Sequence, residues 1–313
     1  MQNNLETIDQ YVIESELGTG ANAIVYRCYD ISNPTNKLAL KIINYNSKNL
    51  DEQNRKCILN EAKIMQTLDH TNIVKFIELK SDGIKTKDGK VYKERILYTV
   101  SQLAKKGTIL PYLTEGGAFP ESIARYYFHQ LVSGLSYLHK MGYVHRDLKP
   151  DNLLIGSNYE ILIADFGHSI SHKGPKGDGW LIPDDIGTTC YNPQEIYQGS
   201  YKGIPADTFM VGVLLFIFLT GVRPFNYANK SDFYYRHMID SDIAGFWNAH
   251  KNKQNIKLSL EARNLIASLL SFNPNARPSL EEVLNHKWMS GLLASEKQVK
   301  CIMRKRQAQI IQS

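Results

Sequence analysis

From Tyr11 to about Val100 the apolar positions come in short runs: YVIESEL, AIVYRCYD, KLALKII, NIVKFIELK and RILYTVSQ. These runs are rich in β-branched and aromatic residues and are separated by Gly, Asn, Asp and Ser, which predicts five strands joined by turns. One segment breaks the pattern. In DEQNRKCILNEAKIMQTL the apolar residues Ile58, Met65 and Leu68 recur at helical spacing, predicting a helix between the third and fourth strands. Polar KSDGIKTKDGKVYKE, with Asp88-Gly89 at its tip, predicts an extended solvated hairpin between the last two strands. From about Leu103 the period becomes helical in ESIARYYFHQLVSGLSYLHKMG, in the apolar run from Thr208 and in SLEARNLIASLLSFNP. The strand-like pieces NLLIG and EILIADFG interrupt the helices. The fold class is therefore α+β, with a small sheet lobe over 1–102, a larger helical lobe over 103–290 and a helix-prone basic tail over 291–313 that has no obvious hydrophobic partner.

Composition narrows the function classes. The chain has 313 residues, 43% hydrophobic and 22% charged, as expected for a globular protein with a sizeable core. The net charge of +6 is concentrated in the tail, where Lys297, Lys300, Arg304, Lys305 and Arg306 lie, so no basic face for nucleic acid is expected on the body. The longest apolar run, Phe209 to Leu219, is too short for a membrane span and predicts a buried core helix. Widely spaced Cys28, Cys57, Cys190 and Cys301 suit free thiols in a reducing compartment. With no signal-peptide pattern at the start, the expected location is the cytoplasm, with access to the nucleus left open and no membrane contact.

Three constellations carry chemistry. Gly18-Thr19-Gly20-Ala21-Asn22-Ala23-Ile24-Val25 lies between two strand-like runs, so its backbone can approach a phosphate; a glycine-bearing hairpin turn explains it equally well. Lys41 sits in the apolar strand Leu38–Ile43, on the opposite face from Leu38, Leu40 and Ile42. It either snorkels outward or meets a buried anion, and Glu61, among the apolar residues of the following helix, is the matching carboxylate. The third constellation is the most specific. His145-Arg146-Asp147-Leu148-Lys149-Pro150-Asp151-Asn152 is followed by Asp165-Phe166-Gly167. It supplies a carboxylate base in Asp147, a cation in Lys149 to neutralise transferring phosphate charge, and oxygen ligands for Mg²⁺ in Asn152 and Asp165.

These residues together resemble the eukaryotic protein kinase signature set, over about Tyr11 to Met289. The resemblance implies a bilobal kinase fold and transfer of the γ-phosphoryl group of MgATP to a Ser/Thr hydroxyl of protein substrates. It implies that Lys41 holds the ATP phosphates and pairs with Glu61, that Asp147 is the catalytic base assisted by Lys149, and that Asn152 and Asp165 ligate Mg²⁺. The nucleotide residues implied are Leu17, Gly18, Thr19, Gly20, Ala23, Val25, Ala39, Lys41, Ser101, Gln102, Ala104 and Leu154, with Val25, Ala39 and Leu154 sandwiching the adenine. Ser101 falls at the gatekeeper position, usually bulkier, which implies a deep pocket. Glu195 is the implied partner of Arg277. Lys149 and the Gly187-Thr188 pair match the Ser/Thr rather than the Tyr pattern. The close LLSFNPNARPSLEEVLNHKWM is most similar to the calcium/calmodulin-dependent and AMP-activated-like branch.

Departures from that pattern sit at packing positions: Ala23 for the third glycine, Asn192-Pro193-Gln194 before Glu195, and Phe209-Met210 after Asp207. GPKGDGW is an insertion expected to form a mobile loop, and Thr108 replaces a glutamate common in basophilic kinases. No Ser or Thr lies between Ser171 and Gly187; Asp184, four residues before Thr188 and followed by Asp185, fits a carboxylate pairing with Arg146 in place of a phosphate as well as a solvated turn. In the tail, Val299, Ile302, Met303 and Ile310 share one helical face among basic residues, so 297–311 fits a calmodulin or autoinhibitory contact as well as a solvated tail. His129, His139, His168 and His172 have no metal spacing and are expected to be structural or surface residues. The rival function is a pseudokinase scaffold, which predicts loss of Lys41, Asp147, Asn152 or Asp165; all four are present.

Overall fold

A computed structural model describes residues 5–19, 23–43, 52–182, 187–254 and 257–312. The chain divides into two compact units, Met1–His70 with Val74–Lys105, and Thr71–Ile73 with Lys106–Ser313.

The first unit contains β1 (Glu6–Ile8), β2 (Tyr11–Thr19), β3 (Ala23–Asp30), β4 (Asn33–Ile43), α1 (Glu52–Gln66), β5 (Phe76–Lys87) and β6 (Lys90–Gln102). The strands form a closed antiparallel barrel in the order β1-β2-β3-β4-β6-β5. Alternation decides which face is buried. Leu38 and Leu40 pack with Ile8, Tyr11, Cys28, Tyr98 and Val100, and Ile42 lies against the same cluster. The Asp88-Gly89 hairpin forms as expected, with both residues at positive φ (52° and 72°) between Lys87 and Lys90.

β1 lies outside the predicted elements. It is held by Asp9, itself at φ 50°, whose N–H donates to the Ile84 carbonyl at 2.9 Å. The Asp9 carboxylate accepts from the Ile84 amide at 3.0 Å and the Tyr98 hydroxyl at 2.8 Å. The long hairpin thus ends as a partner for β1, with Glu6 paired to Lys85 and Lys87, rather than standing free in solvent. The expected fourth strand also starts late, at Phe76. Residues 71–73 instead belong to the second unit, where Ile73 bridges Ile163 in parallel and the Asn72 amide donates to the Ile161 carbonyl at 3.0 Å.

The second unit contains α2 (Leu110–Thr114), α3 (Glu121–Lys140), β7 (Tyr143–Val144), β8 (Leu153–Ile155), β9 (Ile161–Ile163), β10 (Ile170–Ser171), α4 (Gly203–Thr220), α5 (Phe233–Ile239), α6 (Ile243–Gln254), α7 (Leu260–Leu269), α8 (Leu280–Leu284) and α9 (Glu296–Gln312). The four short strands pair β7 with β10 and β8 with β9. α4 is the described helix long and apolar enough to cross a bilayer, yet it is the core: Phe209 through Leu219 are all buried. Gly212 lets α7 approach closely, since a Cβ there would lie 2.7 Å from that of Leu269. α7 is capped by the Ser259 hydroxyl, and α8 carries a capping box of Ser279 and Glu282.

The tail does have a hydrophobic partner. Val299 and Met303 are buried, and α9 packs beside α2. Arg306, which the sequence presents as one of five solvated cations, is also buried. Its guanidinium donates to the carbonyls of Tyr112 and Gly117 at 2.7 Å and Ala118 at 2.6 Å. It lies 4.2 Å over the ring of Phe119, so a fixed guanidinium fork replaces the water that its charge otherwise requires.

Candidate active site

The loop between β7 and β8 carries the third constellation, and Asp207 of α4 fixes its entry. The Asp207 carboxylate accepts the backbone amides of His145 and Arg146, each at 2.8 Å, and the Nε2 of His139 lies 2.8 Å away. Burial pushes the Asp207 carboxyl up, but the His139 hydrogen bond and the backbone amide of His145 hold it below the ordinary carboxylate value. With its backbone clamped there, Arg146 adopts φ 67°. Its side chain donates to the His168 carbonyl at 2.6 Å and the Tyr201 hydroxyl at 3.3 Å. Asp184 and Asp185 lie outside the described residues.

His145 is fully buried, its ring 5.1 Å from that of Phe166 and its Nε2 3.1 Å from the Ala164 carbonyl. Burial holds its imidazole below the ordinary value of 6.5 against the pull of Asp207. The folded protein therefore favours neutral His145, and its contribution to stability is present above 6.5 and is lost as the pH falls below that value. Asp207 and Asp147, both lowered, add a second loss only in the acid range below 3.8. Melting temperatures measured from about pH 7 to about pH 5 should fall, and the slope should be shallower in His145→Phe. An identical slope in the variant would assign the loss to other groups.

Asp147 is 3% exposed, and its carboxylate accepts four hydrogen bonds. Lys149 Nζ donates to Oδ2 at 2.8 Å and Asn152 Nδ2 donates to the same oxygen at 2.9 Å. The Thr188 amide and hydroxyl donate to Oδ1 at 2.9 and 3.1 Å, and Lys149 also reaches the Thr188 hydroxyl at 2.8 Å. Burial pushes the Asp147 carboxyl up, but the Lys149 hydrogen bond and charge bring it below the usual range, so it is an anion at neutral pH. Gly187 comes close enough that a Cβ would meet the Arg146 carbonyl at 2.8 Å, and its φ of 66° suits glycine.

Asn152 also donates to the Asp147 carbonyl at 2.8 Å, so both amide hydrogens point into the loop and its Oδ1 is the atom left for a cation. The Asn152 carbonyl accepts the Ala164 amide at 2.9 Å, which draws the strand end carrying Asp165 to the same loop. Asp165 is exposed at φ 62°. A hard amide oxygen and a solvent-facing carboxylate fit Mg²⁺, which keeps water in its shell, better than a soft metal. Among the described residues no cluster of three His, Cys, Asp or Glu side chains forms a metal site.

In the first unit the sheet register places Gly18 opposite Val25, Val25 opposite Lys41 and Lys41 opposite Thr99. Ala39 lies opposite Ser101, so these residues share one sheet face. Lys41 Nζ is 3.1 and 3.2 Å from the two Glu61 oxygens, with Glu61 9% exposed at its side chain, so the cation is paired rather than snorkelling. Leu17 and Thr19 are exposed, Ala23 is buried beside Ile43 and Leu97, and Gly20 lies outside the described residues. Gln102 pairs with Lys75 through its backbone amide at 2.9 Å, and Ala104 follows it beyond the strand. Leu154, in the second unit, lies on β8 opposite Leu162 and bridges Thr108.

The departures at packing positions have local explanations. Pro193 caps a 3₁₀ turn at Gln194–Tyr197, and Glu195 within that turn still binds the Arg277 guanidinium at both oxygens, one at 3.1 Å. The ring of Phe209 lies 4.8 Å from the Arg277 guanidinium, so an aromatic face is retained where tryptophan is usual. GPKGDGW forms a chain of tight turns, Gly179 N–H donating to the Lys173 carbonyl at 2.8 Å, and is followed by the Leu181–Tyr201 bridge. Sequence reasoning missed the contact of His139 with Asp207 and that of Tyr201 with Arg146. Each joins residues more than fifty positions apart, and no local spacing announces it.

The sequence profile of the protein kinase domain matches residues 11–289. Among curated relatives, the probable serine/threonine-protein kinase MARK-A of Dictyostelium discoideum is 32% identical over 285 residues, covering 91% of this chain and 24% of that protein. CBL-interacting protein kinase 30 of Oryza sativa subsp. japonica is 30% identical over 293 residues, covering 92% of this chain and 56% of its own. Calcium/calmodulin-dependent protein kinase type IV of Mus musculus is 30% identical over 295 residues, again covering 92% and 56%. The chain spans between about a quarter and a little over half the length of these relatives. The matched span takes in the Lys41–Glu61 pair, the loop around Asp147 and the Glu195–Arg277 pair, and the chain belongs to the protein kinase domain family.

Proposed function

We propose that this protein is a serine/threonine protein kinase that transfers the γ-phosphoryl group of ATP to hydroxyl groups of protein substrates. The observation that carries the reading is the Asp147 carboxylate, buried, anionic and hydrogen-bonded to Lys149, Asn152 and Thr188. In this reading Asp147 accepts the proton of the substrate hydroxyl and orients it, while Lys149 meets the negative charge on the transferring group. Thr188, bonded to Asp147 and Lys149, holds the base and the cation together beside the acceptor hydroxyl in this reading. Lys41, fixed by Glu61, holds the ATP phosphates. Mg²⁺, held by Asn152 Oδ1 and Asp165, supplies charge neutralisation on the phosphates when bound.

The relatives' names support the calcium/calmodulin-dependent and AMP-activated-like branch. Retention of all four of Lys41, Asp147, Asn152 and Asp165, the first three in bonded positions, argues against a pseudokinase scaffold. A calmodulin contact through 297–311 requires α9 to leave its seat, because Val299 and Met303 are buried there. The cytoplasm remains the proposed location.

The test is Mg²⁺-dependent transfer of labelled phosphate from ATP to a generic protein substrate. Lys41→Met should lower turnover by roughly a hundredfold or more through lost phosphate positioning, with the fold retained by circular dichroism. Near wild-type turnover in a folded Lys41→Met protein would sink the kinase reading.

A further inference from the structure

A cavity of about 420 Å³ opens in the second unit and is not used by any residue assigned above. Chain neighbours of the reaction site form one side: Pro150, next to Lys149, and Tyr191, three residues after Thr188. Buried Leu113 of α2, Ile217 of α4 and Phe225 form its floor, and Thr114, Asn226 and Tyr234 add polar groups to the lining. The single charged residue lining it is Arg223, which is solvent-exposed and forms no ion pair with any described acidic residue. Exposed Asp151 follows the lining residue Pro150 and acts electrostatically on Tyr191, while Asp232 is already engaged. Asp232, which shares a smaller neighbouring cavity with Arg223, spends its carboxylate on the amides of Asn226, Tyr234 and Tyr235 at 2.9–3.0 Å.

An exposed guanidinium at the rim of a recess beside the reaction loop is suited to recognise a chain segment that carries an anionic side chain. The recess adjoins the loop that holds the acceptor hydroxyl, so the segment that reaches it is the substrate's own chain flanking the phosphoacceptor. The geometry points to a substrate subsite here, in which Arg223 selects an anionic residue near the phosphorylated Ser or Thr. This deepens the kinase reading and rests on it. It also gives a physical reason for Thr108 at a position where basophilic kinases carry a glutamate: the described rim offers substrate a cation. The two sources of the anion are a carboxylate of Asp or Glu and a phosphate already installed on the substrate, and both suit the guanidinium fork.

The experiment is a positional-scanning peptide library phosphorylated by the full chain with MgATP, including a phosphoserine column beside the twenty ordinary residues. Wild-type protein should select an anionic residue over alanine at one flanking position by roughly fivefold, the scale of a partly exposed ion pair. Arg223→Glu should abolish that selection and favour Lys or Arg at the same position. A phosphoserine column stronger than Asp and Glu identifies a previously phosphorylated substrate; equal or weaker signal identifies a carboxylate. A phosphorylated library without anionic selection, or a selection unchanged in Arg223→Glu, overturns the subsite and leaves the kinase reading standing. A library that the wild-type protein does not phosphorylate at all overturns both.

Discussion

Asp147→Asn should lower kcat by about a thousandfold, within the range for loss of a positioned general base. The substitution keeps the volume and removes the charge. One of the two oxygens becomes an NH₂ group, yet every partner of the native carboxylate is a donor: Lys149 Nζ and Asn152 Nδ2 on one side, the Thr188 amide and hydroxyl on the other. Whichever way the amide turns, it sets a donor against a donor. If the NH₂ faces Lys149, the cation loses its anchor; if it faces Thr188, the amide of that residue is left without an acceptor. The folded state prefers the Asp147 anion, so the variant should also melt somewhat lower, but the effect on kcat far exceeds the effect on folding. Steady-state kinetics beside a melting curve separates the two. A folded Asp147→Asn protein with kcat within a few-fold of wild type would remove Asp147 from the chemistry.

Much of the site was legible because it is local. His145 to Asn152 fall on one loop, so the residues that meet around Asp147 are already close in sequence, and the spacing of their types is the signal. The Lys41–Glu61 pair was legible for a different reason. Two charges within apolar segments, in consecutive elements, each lacked a reason to be there except the other. Strands with strict alternation, such as Leu38 to Ile43, were legible because one face had to be buried. β1 was not, because three residues carry no period and its pairing depends on Asp9, whose partners Ile84 and Tyr98 lie more than seventy positions away. The clamp of Asp207 on His139 and on the amides of His145 and Arg146 joins residues more than sixty positions apart, and no local spacing marks it. The seat of α9 was hidden most completely, since a basic residue in a basic segment signals solvent, and its acceptors are carbonyl groups that no side-chain pattern reveals.

That seat makes the second large effect a structural one. Removing residues 291–313, or replacing Arg306 with Ala, should destabilise the protein. Arg306→Ala strands three carbonyl acceptors, those of Tyr112, Gly117 and Ala118, and opens a gap over Phe119. Discounting for partial rescue by water, the cost should be about 3 kcal/mol, at the low end for a buried hydrogen-bonded charge and its acceptors. In a chain of this size that corresponds to a fall in melting temperature of roughly 4–5 °C. Arg306→Lys should recover only part of it, because an ammonium cannot span three carbonyls with a fixed fork. Gly116→Ala should act in the same direction, since its Cβ would lie 2.7 Å from Arg306 Cδ. The carbonyls concerned belong to α2 and the turn after it, and Leu113 of α2 lines the cavity beside Arg223. Loosening this segment should therefore raise KM for peptide substrates more than it lowers kcat, a split that a general loss of folded protein would not produce. An inhibitory tail predicts the opposite sign for the truncation, a gain in turnover. Truncated protein with an unchanged melting temperature and raised kcat would show that α9 restrains the enzyme rather than supporting its substrate side.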